Sequence, residues 1–160
     1  MTTPQPADPS LEAHATTIRV VNGSAEMHAR VGSCTGPEEI GIRPAAVQVE
    51  PPVPTCRRID CSTLSSGEAL ARENECTGVA CAPLRVDLAP GAADADYAWD
   101  GVYRTLSERN CYTPTIFEPG TPMLAHVCFG RPDGDYDLLD VTCSDHPFAY
   151  GTPLLEIELE

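Results

Sequence analysis

Eight cysteines in 160 residues constrain the fold of this chain more than any other feature of its sequence. Their number is even and most lie far apart, a distribution that favours disulfides in an oxidising compartment over a metal cluster. The closest spacings leave four residues between cysteines, whereas structural zinc sites usually contain tighter pairs. We therefore predict four disulfides, with zinc as the alternative. The predicted disulfide cysteines are Cys34, Cys56, Cys61, Cys76, Cys81, Cys111, Cys128 and Cys143.

The charge balance excludes some classes of partner. The chain carries 24 acidic residues against 10 basic ones, for a formal net charge of -14 at pH 7. Such a field repels phosphate backbones and anionic headgroups, which argues against nucleic acid and anionic lipid as partners. The simpler interpretation of the acidity is that it keeps an extracellular protein soluble.

Nothing in the sequence predicts a transmembrane segment, because no apolar stretch approaches the roughly 18 residues that span a bilayer. Residues 1–15 contain three prolines and few large apolar side chains, which is typical of a flexible linker. Together with the cysteines, this start favours a secreted, periplasmic or lipid-anchored protein from which a signal peptide or lipidated cysteine has been removed. A cytosolic start is the alternative.

Alternation of apolar and polar residues predicts β-strands along most of the chain. In residues 25–31 (AEMHARV), the pattern places Ala25, Met27, Ala29 and Val31 on the core side, and Glu26, His28 and Arg30 in water. The β-branched run 16–21 precedes this strand. Between the two runs, Asn22-Gly23 favours a type I′ turn, so we predict that they form a hairpin.

Further alternating runs predict an all-β, antiparallel β-sandwich of about seven to nine strands, forming a single domain over residues 16–160. Residues 123–129 (MLAHVCF) are apolar on both faces, which indicates a central strand covered on two sides. Asp100-Gly101 is read as either a turn or a bulge. The other predicted strands cover residues 84–88, 97–103, 136–143 and 155–159.

Residues 50–82 interrupt this pattern with prolines, serines, charges and four of the cysteines, and we interpret them as a long Cys-rich insertion. Within it, residues 65–73 (SSGEALARE) predict two helical turns with a serine cap. Nested bridges Cys56–Cys81 and Cys61–Cys76 would staple such an insertion. Cys128 and Cys143 lie at the ends of one predicted hairpin, which leaves Cys34 to pair with Cys111.

Four short motifs carry a resemblance to known domains: WDG at 99–101, Cys111, PGTP at 119–122 and AHVCFG at 125–130. With these the chain resembles cysteine-bearing, immunoglobulin-like domains of secreted lipoproteins from soil bacteria. Less closely, over residues 84–130, it is similar to the bacterial intracellular proteinase-inhibitor domain, another β-sandwich. It departs from that family after the Pro-Gly turn, where Pro122 and Met123 replace the start of a tyrosine-bearing strand. The resemblance implies an immunoglobulin-like fold and carries inhibition over poorly.

Two metal sites are candidates. Asp133, Asp135 and Asp137 place carboxylates at alternate positions, as a calcium loop does, although the glycine and glutamate of an EF-hand are missing; a solvated turn is the alternative. Imidazole and thioether ligands, such as His126 with Met123 or His28 with Met27, suit copper. For His126, a structural, hydrogen-bonded histidine is the alternative. We expect no cofactor beyond these.

No catalytic motif is present in the sequence. An even set of cysteines leaves no free thiolate for Cys-His catalysis, and no serine lies in a G-x-S-x-G turn. Tyr97 and Trp99 are candidates for an aromatic binding surface, but a single tryptophan in a sandwich is usually packed in the core. We therefore expect a non-catalytic extracellular or cell-surface module that displays loops to a protein or glycan partner. The alternatives are a small-ligand or metal-binding (calcium or copper) lipoprotein and a protease-inhibitor-like domain.

Overall fold

The computed structural model of the chain describes residues 11–31, 40–47, 59–69, 85–94, 96–135 and 137–160. Within these ranges the protein is all-β, as the sequence predicted, with more strands than expected and one 3-10 turn, η1 (Cys61–Thr63). The strands are β1 (Thr16–Asn22), β2 (His28–Val31), β3 (Gly41–Pro44), β4 (Arg85–Leu88), β5 (Tyr97–Trp99), β6 (Tyr103–Leu106), β7 (Tyr112–Thr115), β8 (Pro122–Asp133), β9 (Asp137–Ala149) and β10 (Leu154–Leu159).

The strands form three sheets. One has the order β10-β1-β5; the second is built on β8, which pairs with β9, β2 and β3, and β2 pairs in turn with β4. The third is the small β6–β7 hairpin. Among the described ladders, only β1–β10 is parallel. The prediction that β8 is a central strand is confirmed, but its outward face is only half-buried.

The main core lies between the first two sheets, because one cluster of buried side chains draws on both. Each fully buried aliphatic side chain contributes about 1.5–3 kcal/mol, so this shared cluster joins the two sheets. The β1 sheet contributes Ile18, Val20, Ile157 and Leu159. The β8 sheet contributes Leu88, Ala125 and Val127, together with Ile40, which immediately precedes β3.

A second cluster closes one end of the molecule around Trp99, Met123 and Tyr150. Trp99 is 7 % exposed, so the expectation of a core tryptophan is confirmed. The Tyr150 hydroxyl donates to the Gly101 carbonyl at 2.8 Å and accepts from the His14 amide at 3.1 Å. Gly101 has φ +80, and a Cβ there would lie 2.3 Å from the His14 carbonyl oxygen. The Asp100-Gly101 pair therefore forms a turn between β5 and β6, and this turn requires glycine at position 101.

The predicted β1–β2 hairpin is wrong, because the two strands belong to different sheets. Asn22 is fully buried and sends the chain across: its Nδ2 donates to the Glu26 and Leu88 carbonyls at 2.7 and 2.8 Å. Its Oδ1 accepts from the Ser24 amide at 3.0 Å, an Asx turn. Side-chain hydrogen bonds thus replace the type I′ turn.

The predicted faces of the second strand are wrong in part: Ala29 is buried and Glu26 exposed, as predicted, but other residues differ. Met27 is 45 % exposed, whereas His28 and Arg30 are buried. Arg30 remains charged in the core because Asp94, 64 residues away, accepts from its Nε at 3.0 Å; the two side chains are 3 % and 7 % exposed. The alternating pattern placed Arg30 in water because a local pattern contains no information about a distant counter-ion.

Two disulfides are present among the described residues. Cys128–Cys143 joins β8 to β9 as predicted, but Cys61 pairs with Cys111. The predicted Cys61–Cys76 and Cys34–Cys111 bridges are therefore wrong, while Cys56–Cys81 lies outside the described residues. Cys61 meets Cys111 because backbone pairing brings their neighbours together. Asp60 and Tyr112 form an isolated β-bridge, and the Tyr112 amide donates to the Ile59 carbonyl at 2.8 Å.

The beginning of the predicted helix, residues 65–69, is a turn instead, and residues 70–73 lie outside the described ranges. Gly67 takes φ +79, which interrupts a right-handed helix. The Glu68 carboxylate accepts from the Ser65 amide at 2.9 Å and closes the turn. The described part of the chain contains no helix with the length and hydrophobicity of a transmembrane span.

Candidate functional site

The outward face of the β8–β9 hairpin brings together a histidine, a carboxylate and a disulfide. Along β8, Met123, Ala125 and Val127 point into the core. His126 and Cys128 alternate with them and therefore face outward. The register places Asp145 of β9 opposite His126 and Cys143 opposite Cys128. We call these four outward residues the His126 cluster.

The His126 ring bridges the carboxylate and the disulfide. Its Nδ1 lies 2.7 Å from Asp145 Oδ1, and its Nε2 lies 3.5 Å from Cys128 Sγ. An ionised carboxylate only accepts hydrogen bonds, so the network assigns the neutral ring's proton to Nδ1. The Nε2 lone pair then faces the sulfur.

Arg43 of β3 anchors Asp145 from the other side of β8. Its Nη1 and Nη2 donate to the two carboxylate oxygens of Asp145 at 3.2 and 2.9 Å, a bidentate pair. Arg43, and secondarily His126, lower the pKa of Asp145 to about 2, because both stabilise the ionised carboxylate. Asp145 is therefore a fixed negative charge behind the imidazole at neutral pH.

A second imidazole lies on the other face of β9. His146 Nε2 is 2.8 Å from the Ser144 hydroxyl, and burial lowers the pKa of His146 because it disfavours the imidazolium. Asp145 is the residue between them, but β-strand alternation directs its side chain to the opposite face. This hydroxyl–imidazole pair therefore lacks the orienting carboxylate of a catalytic triad.

The three aspartates predicted to bind calcium lie exposed at the tip of the β8–β9 hairpin. Arg85 of β4 reaches this tip, where its Nη1 donates to the carbonyl oxygens of Gly134 at 2.8 Å and Asp137 at 3.2 Å. A guanidinium thus lies against backbone oxygens that a calcium ion would use as ligands. Calcium binding by Asp133, Asp135 and Asp137 stays a prediction.

The predicted pairing of histidines with methionines for copper does not assemble. Met123 is fully buried, and His126, an odd number of positions away on the same strand, faces outward. Met27 is exposed while the neighbouring His28 is buried against Phe129, with ring centroids 5.3 Å apart. Among the described residues neither His28 nitrogen has a hydrogen-bond partner, whereas His126 is hydrogen-bonded, in keeping with the structural alternative for that residue.

Residues 139–141 of β9 form a bulge opposite Gly130. The register shifts between Phe129 and Arg131, and Asp140 takes φ +52. A Cβ at Gly130 would lie 2.6 Å from the Leu139 carbonyl oxygen, so glycine is needed there. The bulge displays Leu139 and Val141, which are 46 % and 56 % exposed.

The sequence analysis named His126 and predicted the Cys128–Cys143 pair, but it missed their association with Asp145. Each strand carries its two members at an i, i+2 spacing, as H-x-C in β8 and C-x-D in β9. Such spacing places both members on one face of a strand. Only the hairpin register brings the two pairs together, and the predicted Cys128–Cys143 bridge was the signal that could have specified it.

Comparison of the chain with protein-family models, with curated proteins and with solved structures gave no match. The resemblances to immunoglobulin-like lipoprotein domains and to the proteinase-inhibitor domain therefore stay predictions.

Proposed function

We propose that this chain is a non-catalytic, extracellular binding module that holds an extended, basic segment of a protein partner along the bulged part of β9. The observation that carries the proposal is the exposed Leu139–Val141 pair on an outer strand. Single exposed apolar side chains are common on protein surfaces, but exposed apolar groups that lie together often mark interaction surfaces.

The strand geometry supports strand addition as the mode of binding. Among the described strands, β9 pairs only with β8, so its other edge lies at the border of that sheet. Unpaired edges present backbone donors and acceptors to a partner strand. Pro147 lacks an amide donor and protects the far end of this edge, which leaves the part near residues 137–142 as the stretch best suited to pairing.

The charge around the bulge supports a basic partner. Exposed carboxylates of Asp133, Asp135, Asp137 and Asp140 flank the apolar pair. Of these, Asp140 forms an ion pair with Arg131, so the local attraction for a basic partner comes mainly from the other three. The net charge of -14 adds long-range attraction for a cationic segment.

One observation favours a protein partner over a glycan, a second favours binding over catalysis, and a third concerns the compartment. Trp99 and Tyr150, the aromatics best suited to stack on a sugar, are buried in the core. The His126 imidazole faces a disulfide sulfur, which has no proton for a base to remove. The two disulfides and the acidic surface are in keeping with a secreted or lipid-anchored setting.

A phage-displayed random peptide library tests this proposal on the disulfide-bonded chain. Selected peptides should alternate apolar residues with Lys or Arg. Their affinity should fall at least about ten-fold for the variant Leu139→Ser/Val141→Ser, because two central apolar contacts are lost.

The matched control is Met27→Ser/Leu154→Ser, which removes two apolar side chains of similar exposure, 45 % and 46 %, elsewhere on the surface. This control should bind the selected peptides as the parent protein does. Equal binding to all three proteins, or selection of acidic peptides, would contradict the proposal.

A further inference from the structure

We propose that the Cys128–Cys143 disulfide locks a soft-metal site, and that its reduction opens this site to one Zn²⁺ ion. The ligands are the two thiolates and Nε2 of His126. This goes beyond peptide binding, because it adds a redox-controlled metal site on the outward face of the same hairpin.

The ligand atoms are already close together. The two Sγ atoms and a ring nitrogen of His126 lie within 4.8 Å of one another. Tetrahedral zinc, with Zn–S near 2.3 Å and Zn–N near 2.0 Å, places a nitrogen and a sulfur ligand about 3.6 Å apart. The distance from His126 Nε2 to Cys128 Sγ is 3.5 Å. Reduction needs only to let the two sulfurs separate around the ion.

Asp145 and Arg43 provide the second, independent observation. Histidine ligands usually donate their other ring N–H to a carboxylate, which fixes the tautomer and aims the free nitrogen at the metal. Asp145 accepts at this position at 2.7 Å, and Arg43 holds the carboxylate from behind. The imidazole is thus oriented to bind a metal ion through Nε2, although the disulfide blocks that position in the oxidised protein.

The chemistry balances with a dithiol as the reductant. The dithiol gives two electrons and two protons to the Sγ–Sγ bond and becomes a disulfide, while Cys128 and Cys143 become thiols. Zn²⁺ then displaces the two thiol protons to solvent. Reoxidation reforms the bridge and releases the ion. Cys143 is exposed, which gives a thiol access to the bridge.

The ligand positions should persist after reduction, because the β8–β9 ladder extends on both sides of the bridge. It runs from Pro122 opposite Ala149 to Asp133 opposite Asp137. With three protein ligands, the fourth position of the ion stays open to water, and zinc sites of that composition bind exchangeable ligands.

The test uses the full chain, uniformly labelled with ¹⁵N and reduced with a phosphine. It is titrated with Zn²⁺ and followed by NMR of the histidine side chains and the backbone amides. Only binding at Nε2 moves the corresponding His126 resonance, so zinc held by other cysteines is distinguished. We expect the shift in the parent protein and in the control His146→Gln. In His126→Gln, binding at this hairpin is followed through the backbone amides of Cys128 and Cys143 and should be at least ten-fold weaker.

Asp145 acts as a positioning residue, so Asp145→Asn should weaken binding about 10–100-fold while the His126 tautomer ratio changes in the metal-free protein. If reduction unfolds the chain, Zn²⁺ should restore the native amide spectrum in the parent and in His146→Gln but not in His126→Gln. An unmoved His126 Nε2 resonance at saturating Zn²⁺, or equal zinc affinity of His126→Gln and the parent, overturns the inference. Peptide selection on the oxidised chain is unaffected by either result.

Discussion

The buried ion pair between Arg30 and Asp94 should be the most sensitive polar contact in the fold. Their side chains are 3 % and 7 % exposed, so neither charge has water to replace a lost partner. Removing one member of such a pair costs about 3–5 kcal/mol, since the other stays buried and loses this counter-ion. For a domain of this size, Asp94→Asn should therefore lower Tm by roughly 6–20 °C.

The exposed pair formed by Arg19 and Asp96 is the matched control, since here too the Nε and Nη2 of an arginine donate to one aspartate, with two contacts of 2.9 Å. Its side chains are 38 % and 43 % exposed. Asp96→Asn should therefore lower the free energy of unfolding far less than Asp94→Asn does, because water screens the charges of an exposed pair.

Urea unfolding under non-reducing conditions, followed by Trp99 fluorescence, measures both free energies of unfolding. The double variant Arg30→Met/Asp94→Leu removes both charges and should recover most of the loss caused by Asp94→Asn. The reasoning is refuted if Asp94→Asn costs no more than Asp96→Asn, or if the double variant is less stable than Asp94→Asn.

Three further predictions concern single positions. His28→Leu should raise the free energy of unfolding by about 1–3 kcal/mol, because it removes buried nitrogens without partners; a loss in urea unfolding would contradict this. Gly101→Ala should destabilise the protein more than Gly120→Ala, which shares a positive φ but has open space for a Cβ; equal melting temperatures would show that the His14 contact does not matter. In the disulfide-bonded protein Asp145 should titrate at about 2, below its ordinary value of 3.8, because of Arg43 and then His126. Its contribution is thus complete above pH 4 and lost as the pH falls towards 2; NMR of the carboxyl carbon should show the midpoint rising in Arg43→Gln, and an unchanged midpoint would contradict the assignment.

Part of the candidate site was open to prediction from sequence. Cys128 and Cys143 flank a Pro- and Gly-containing turn between two alternating runs, and local hairpin geometry therefore brought them together in the prediction. The association of His126 with Asp145 and Arg43 was not predicted, because it depends on the exact register of β9 and on β3 pairing with β8. A shift of one residue would place Asp145 on the opposite face of the sheet.

The sequence by itself determined the all-β class and the β8–β9 hairpin, because alternation and turn residues act over a few neighbouring positions. Tertiary structure decided which strands meet. The predicted hairpin would have kept the chain in one sheet, whereas the hydrogen bonds of buried Asn22 direct it into a second sheet. Tertiary structure also decided that Arg30 is buried, since Asp94 supplies the compensating charge. The Cys61–Cys111 bridge crosses 50 residues and depends on segment 59–61 lying beside β7. Such contacts join distant parts of the chain, and no local pattern of residues encodes them.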